Sequence, residues 1–170
     1  MNKVRQELKN YFPYRILDIE SAEADDIIAT LCDLVEPSEK VLILSGDKDF
    51  IQLHTRPWVK QYDPTRKKWV SHNNPKRYLE EHILKGDSGD GVPNVLSVDN
   101  CFVIGERQKP LTQKKIDALI ELGLDGKFDH PNFKNYCRNK SLIDLFPPFT
   151  ISLFAISLKV GIDCFKILGI

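Results

Sequence analysis

Seven carboxylates in three short stretches could do chemistry here: Glu23, Asp25 and Asp26; Asp47 and Asp49; Asp87 and Asp90. Asp47 and Asp49 follow the apolar run 41–44, which reads as a short strand buried on both faces, the kind found in parallel sheets. Ligands of open α/β sheets bind outside the carboxyl ends of the strands. Carboxylates two apart on such a turn can aim into one crevice, and hard divalent cations such as magnesium take oxygen ligands. Each stretch also has a capping explanation, since Asp is a preferred N-cap and first-turn acids favour the helix dipole. Three acids together, however, repel one another unless a cation or several donors sit among them. In helical spacing Glu23 and Asp26 share a face while Asp25 points elsewhere. Three acidic clusters, each at an element boundary, suit a two-metal site. Its ions, roughly 3.5–4 Å apart, would activate a water and steady the leaving oxygen in phosphodiester hydrolysis.

The elements that must position these acids follow from periodicity. Val4, Leu8, Tyr11 and Phe12 fall at helical spacing before Pro13, predicting an opening helix. Residues 15–19 form a candidate strand. Ser21 is a predicted N-cap for a helix over 22–35, ended by Pro37. With strand 41–44 this makes a βαβ unit, for which a right-handed crossover is preferred. A short helix follows Asp49. Residues 58–62 and 67–70, separated by Asp63-Pro64-Thr65-Arg66, predict a hairpin. Asn74-Pro75 starts a helix to about Lys85, and a glycine-rich turn over 86–93 follows. Further helices are predicted over 112–122, ending at Gly123, and over 132–145. Residues 146–170 differ: fifteen of the 25 are apolar and only three are charged.

The chain has 170 residues and no net charge, so its charge distribution says more than the total. Residues 15–55 carry ten acids and three bases, a net of −7, and residues 56–85 carry eight bases and three acids, a net of +5. An acidic crevice beside a basic stripe suits a metal-dependent enzyme acting on a polyanion. The four cysteines and four histidines are scattered without zinc spacing, and free thiols fit a reducing, cytoplasmic setting. The start has no apolar signal segment, and no run reaches the 18 apolar residues of a membrane helix.

Taken jointly, three motifs resemble the ordered acidic motifs of the 5′ nuclease (flap endonuclease) family. They are Glu23-Ala24-Asp25-Asp26-Ile27-Ile28-Ala29, Ser45-Gly46-Asp47-Lys48-Asp49-Phe50, and residues 83–93 around Gly86-Asp87-Ser88-Gly89-Asp90. Gln52-Leu53-His54, Trp58-Val59-Lys60-Gln61 and Lys67-Lys68-Trp69-Val70 are similar to its T-even bacteriophage ribonuclease H branch. The resemblance covers about residues 1–105 and extends more weakly to Asp144. It implies a PIN-like α/β core with a parallel sheet over 1–72, N-terminally truncated, and a helical DNA-binding region over 73–145 with a helix–turn–helix element. The role of the 146–170 tail stays open. It also implies a magnesium-dependent 5′-to-3′ nuclease that removes RNA primers and flaps, with two ions and manganese able to substitute.

By that resemblance Asp25 and Asp47 hold the first metal, with Glu23 supporting its waters. Asp49 and Asp90 belong to the second, with Asp26 and Asp87 in its outer shell. The catalytic residues would then be Glu23, Asp25, Asp47, Asp49 and Asp90. Lys60, Lys67, Lys68, Arg77 and Lys85 would neutralise phosphates of duplex, flap or RNA–DNA hybrid. Gly89 and Gly91 would let a phosphate approach the backbone. The family pattern begins with an acid-bearing strand and a basic helical arch that this sequence does not match. The expectation is therefore the C-terminal part of such a nuclease (a split-gene product, a truncated gene or an incomplete gene model), inactive without the missing N-terminal part, which a separate N-terminal fragment could supply. A non-catalytic duplex-binding fragment and a small PIN-like nuclease complete in itself are the alternatives.

Overall fold

The computed structural model describes residues 2–19, 22–35 and 38–145. The predicted cap Ser21, the helix stop Pro37 and the apolar tail 146–170 lie outside them. Helix α1 (Asn2–Tyr11) forms as its spacing predicts, but Val4, Leu8, Tyr11 and Phe12 all remain exposed. Lys9 Nζ lies 2.6 Å from Asp18 Oδ2 and ties the helix to the segment after it. Residues 15–19, expected as a strand, join no ladder among the described residues, and a segment counts as a strand only through a partner's backbone hydrogen bonds.

Helix α2 (Ala24–Leu34) starts at Glu23 through a reciprocal cap. The Glu23 amide donates to Asp26 Oδ2 at 3.2 Å and the Glu23 carboxylate accepts from the Asp26 amide, which satisfies two orphan donors. Strand β1 (Val41–Leu44) pairs in parallel with β2 (Val59–Asp63), which pairs antiparallel with β3 (Lys68–Val70). Among the described residues, the strand order β1-β2-β3 leaves β1 on an edge. The expectation of a parallel sheet buried on both faces is therefore corrected: the sheet is mixed, only Ile43 of β1 is buried, and Leu42 and Leu44 are 44% and 60% exposed. Leu44, Tyr62 and Trp69 align across the three strands on the open face.

On the covered face, Ala29 and Cys32 of α2 meet Ile43, Val59, Phe50 and Leu53 in one core. The last two come from a 3-10 helix (Asp49–Thr55) that connects β1 to β2. A second core joins α3 (Pro75–Lys85), α4 (Gln113–Leu122) and α5 (Phe133–Ile143) through Ile83, Leu84, Val95, Ile116, Tyr136 and Ile143. Burying an aliphatic side chain of this size contributes about 1.5–3 kcal/mol. Asn74 caps α3, accepting the Arg77 amide at 3.0 Å, with Pro75 in its first turn. Beyond α3, residues 94–105 form successive turns rather than a second helix, and α4 begins only at Gln113. No described helix is long and apolar enough to cross a membrane.

Candidate functional site

The turn after β1 is shaped from β2. Gln61, fully buried, donates through Nε2 to Ser45 O at 2.8 Å and Asp47 O at 2.5 Å. The Asp47 amide donates to Ser45 Oγ at 3.1 Å, and Asp47 Oδ1 accepts the Asp49 amide at 3.0 Å. Asp47 thus takes up the first amide of the 3-10 helix on which Asp49 sits.

Asp49 is the electrostatic centre of the acidic region. Burial pushes its carboxyl above the ordinary value; His82 opposes this, and the charges of Asp47, Asp87 and Asp25 add to it. His82, from the last turn of α3, places Nδ1 3.5 Å from Asp49 Oδ1 and Nε2 3.4 Å from Asp87 Oδ2. Burial also raises Asp87, yet the Gly89 and Asp90 amides, at 2.8 and 3.4 Å from Oδ1, together with His82 hold it below the usual carboxylate value. Tyr78, one turn before His82, has its phenol pushed up by burial and then by Asp49, Asp47 and Asp87.

The charges of Asp25, Asp47 and Asp87 therefore all reach Asp49, and the His82 imidazole lies between Asp49 and Asp87. Glu23 and Asp26 are engaged in the reciprocal cap of α2, the bland role open to them from the start. The exposed Asp90 contributes its amide to Asp87 and is not among the charges that shift Asp49. Among the described residues, no three His, Cys, Asp or Glu side chains converge closely enough to enclose a metal ion. The donor set is all hard oxygen apart from His82, and its mutual repulsion acts on a half-buried carboxylate. That chemistry fits a hard divalent cation.

The basic residues divide as well. Lys60, Lys67 and Lys68 are exposed on the β2–β3 hairpin. Arg77 lies 3.1 Å from Glu81 and 2.6 Å from Asp117, and Lys85 lies 2.8 Å from Glu81. The hydrogen bond from Lys85 is the chief reason that the Glu81 carboxyl is lowered. Gly89 and Gly91 are both exposed in the turn after α3.

Sequence reasoning missed His82 and Tyr78. Their spacing was available: four apart on one helix face, with His82 five residues before Asp87.

Residues 2–83 match the family model described as 5′-3′ exonuclease, N-terminal resolvase-like domain. Ribonuclease H of Enterobacteria phage T4 is 38% identical over 151 residues, covering 84% of this chain and 50% of that protein. Flap endonuclease Xni of Shewanella piezotolerans is 33% identical over 100 residues, covering 52% of this chain and 39% of that protein. Among solved structures, a T5 5′-exonuclease variant aligns with a TM-score of 0.62 at 18% identity, covering 94% of this chain and 68% of its own. The T5 D15 protein, co-crystallised with metal ions, aligns with a TM-score of 0.58 at 20% identity, covering 94% of this chain and 61% of its own. The chain spans about half the length of the phage T4 relative.

Proposed function

The chain belongs to the 5′ nuclease family, and from that premise we propose that it is part of a magnesium-dependent 5′-to-3′ exonuclease and flap endonuclease with ribonuclease H activity. Its fold is the family's resolvase-like arrangement of a mixed sheet and helices. The observation that carries the proposal is the setting of Asp49, half-buried among the charges of Asp25, Asp47 and Asp87 at the carboxyl end of the sheet. Asp25, Asp47, Asp49 and Asp87 would hold the ions, with Asp90 at the rim and Glu23 and Asp26 fixing the helix that presents Asp25. The chemistry those carboxylates would bring in by holding a divalent ion is a lowered pKa for a bound water and compensation of phosphate charge. The protein's own part is to orient the carboxylates: Gln61 fixes the Asp47 turn, and His82 holds Asp49 beside Asp87. Lys60, Lys67 and Lys68 would neutralise phosphates of duplex, flap or RNA–DNA hybrid, and the turn 86–93 would grip the backbone as in a helix–turn–helix element. The setting would be host cytoplasm during DNA replication.

The edge position of β1 among the described residues, the exposed Leu42 and Leu44, and the half-length coverage of the phage T4 relative support a second element of the proposal: turnover needs a further segment of the nuclease fold. The test is cleavage of a 5′-flap duplex and an RNA–DNA hybrid with magnesium or manganese. The assay uses the 170-residue chain alone and then mixed with the complementary portion of phage T4 ribonuclease H. Salt-sensitive binding without turnover is expected alone, and EDTA-sensitive, Asp47-dependent turnover in the mixture. Ordinary turnover by the chain alone, abolished by Asp47→Ala, would remove the need for a second segment. Absence of cleavage in the mixture with binding unaffected by EDTA would favour a non-catalytic duplex-binding module. The exposure of Lys60, Lys67 and Lys68 together on the β2–β3 hairpin is the observation that favours that second reading.

A further inference from the structure

We infer that α5 is a positioning brace that sets the Asp49 segment and the Asp87 loop relative to each other through two buried carboxamides, Gln52 and Asn139. This rests on the nuclease reading of those acids. Asn139 is fully buried, and its Nδ2 donates to Ile83 O at 2.8 Å and Pro93 O at 2.9 Å, the two sides of the loop that carries Asp87 and Asp90. Arg138 Nη2 adds a second donor to Pro93 O at 2.9 Å. One turn earlier, Asn135 Nδ2 donates to Val95 O and Ser97 O, each at 2.9 Å. Residues 135, 138 and 139 share a helix face, which gathers the carbonyls of residues 83, 93, 95 and 97.

The other end of α5 is tied to the opposite side of the site. Gln52, also buried, donates through Nε2 to Ile143 O at 3.1 Å and accepts the Leu145 amide through Oε1 at 2.9 Å. Ile143 ends the helix, where carbonyls lack intrahelical partners. Gln52 lies three residues after Asp49 on the same 3-10 helix. The two carboxylate segments are thus linked twice, directly through His82 and indirectly through α5. A carboxamide suits this role because it satisfies main-chain groups in a dry interior without adding charge to an acidic site. Neither side chain contacts an acid of the site, so both are positioning residues.

The test compares Asn139→Leu with Ile116→Ala, a core change in the same cluster that removes no polar bond, in the full chain under conditions where circular dichroism shows both folded. Amide exchange is followed without metal at Gly89 and Asp90, which donate to Asp87, and at Asp49, which donates to Asp47. Asn139→Leu should speed exchange at all three sites by about tenfold beyond the change in global stability, the scale of one lost buried hydrogen bond. It should also weaken the magnesium-induced rise in Tm. Ile116→Ala should shift exchange only in step with stability. Should Asn139→Leu fail to fold, Gln52→Glu provides the reciprocal test: it keeps the acceptor for Leu145, loses the donor to Ile143, and should loosen Gly89 and Asp90. Exchange changes confined to residues 84–97, or matching the Ile116→Ala control, would overturn the brace. Coupled exchange changes in a protein whose Tm ignores magnesium would uphold the brace while removing the metal reading.

Discussion

Two glycines in one loop separate two physical costs. Gly86 has φ 67° and ψ −176°, and an added Cβ would lie 2.4 Å from Val92 O and 2.7 Å from both the carbonyl carbon and oxygen of Pro93. Gly91 has φ 75°, and its Cβ would meet nothing within 4 Å. Holding an L-residue in left-handed backbone costs about 1–2 kcal/mol, the whole expected penalty of Gly91→Ala. Gly86→Ala adds an overlap with main chain that cannot rotate away, of the order of 1–3 kcal/mol. Its φ/ψ combination is also one that side chains rarely adopt. For a chain of this size, 1 kcal/mol moves Tm by about 2–4 °C. Gly86→Ala should therefore melt on the order of 5 °C below Gly91→Ala, measured by thermal and urea unfolding. Gly86 closes α3, its amide donating to His82 O at 2.8 Å, so the loss should also disturb His82 and Asp87. Equal Tm shifts in the two variants would refute the close-approach argument.

Three further outcomes follow from individual environments. Burial raises the Glu80 carboxyl, with the Tyr136 hydroxyl and Lys140 opposing. The folded group thus holds its proton to higher pH than the unfolded one, and stability falls as pH rises through that window. Glu80→Gln keeps an acceptor for the Tyr136 hydroxyl, now 3.1 Å from Oε2, so it should melt above the parent at pH 7 and level with it near pH 4; a lower Tm at pH 7 counts against the argument. Changing Lys60, Lys67 and Lys68 to Gln should flatten the log–log salt dependence of duplex binding by about 0.9 per lost phosphate contact. Arg77→Gln should leave that slope alone, because Glu81 and Asp117 already engage Arg77, and the reverse pattern would reassign the interface. Burial raises the Cys32 thiol to about 11, whereas Cys137 is exposed. Alkylation at pH 8 should label Cys137 in the folded chain and Cys32 only on unfolding, as peptide mapping would show.

What could be read from sequence were features whose causes are local. Helix α3 was legible because Asn74, Pro75 and Gly86 carry its start and stop, and the hairpin because Asp63-Pro64 sets its turn. The burial of β1 was not: Val41–Leu44 reads the same whether one face or both are covered, since a residue's type does not say what lies opposite it. The strand expected over 15–19 failed likewise, because a strand exists only through its partner's hydrogen bonds.

The acids announced themselves by falling at element ends, but their division of labour did not. Glu23 and Asp26 satisfy each other's segment in a cap, while Asp25, between them in sequence, is the one whose charge reaches Asp49. His82 is signalled only by its spacing to Tyr78 and Asp87, and it is the packing of α3 that puts it between Asp49 and Asp87. Gln52, Gln61 and Asn139 were the hardest to find, for a physical reason. Their partners are main-chain carbonyls and amides from distant segments, and every residue supplies those groups regardless of its identity. The carboxylates of this site are written in side-chain types; the parts that hold them in place are written in backbone geometry.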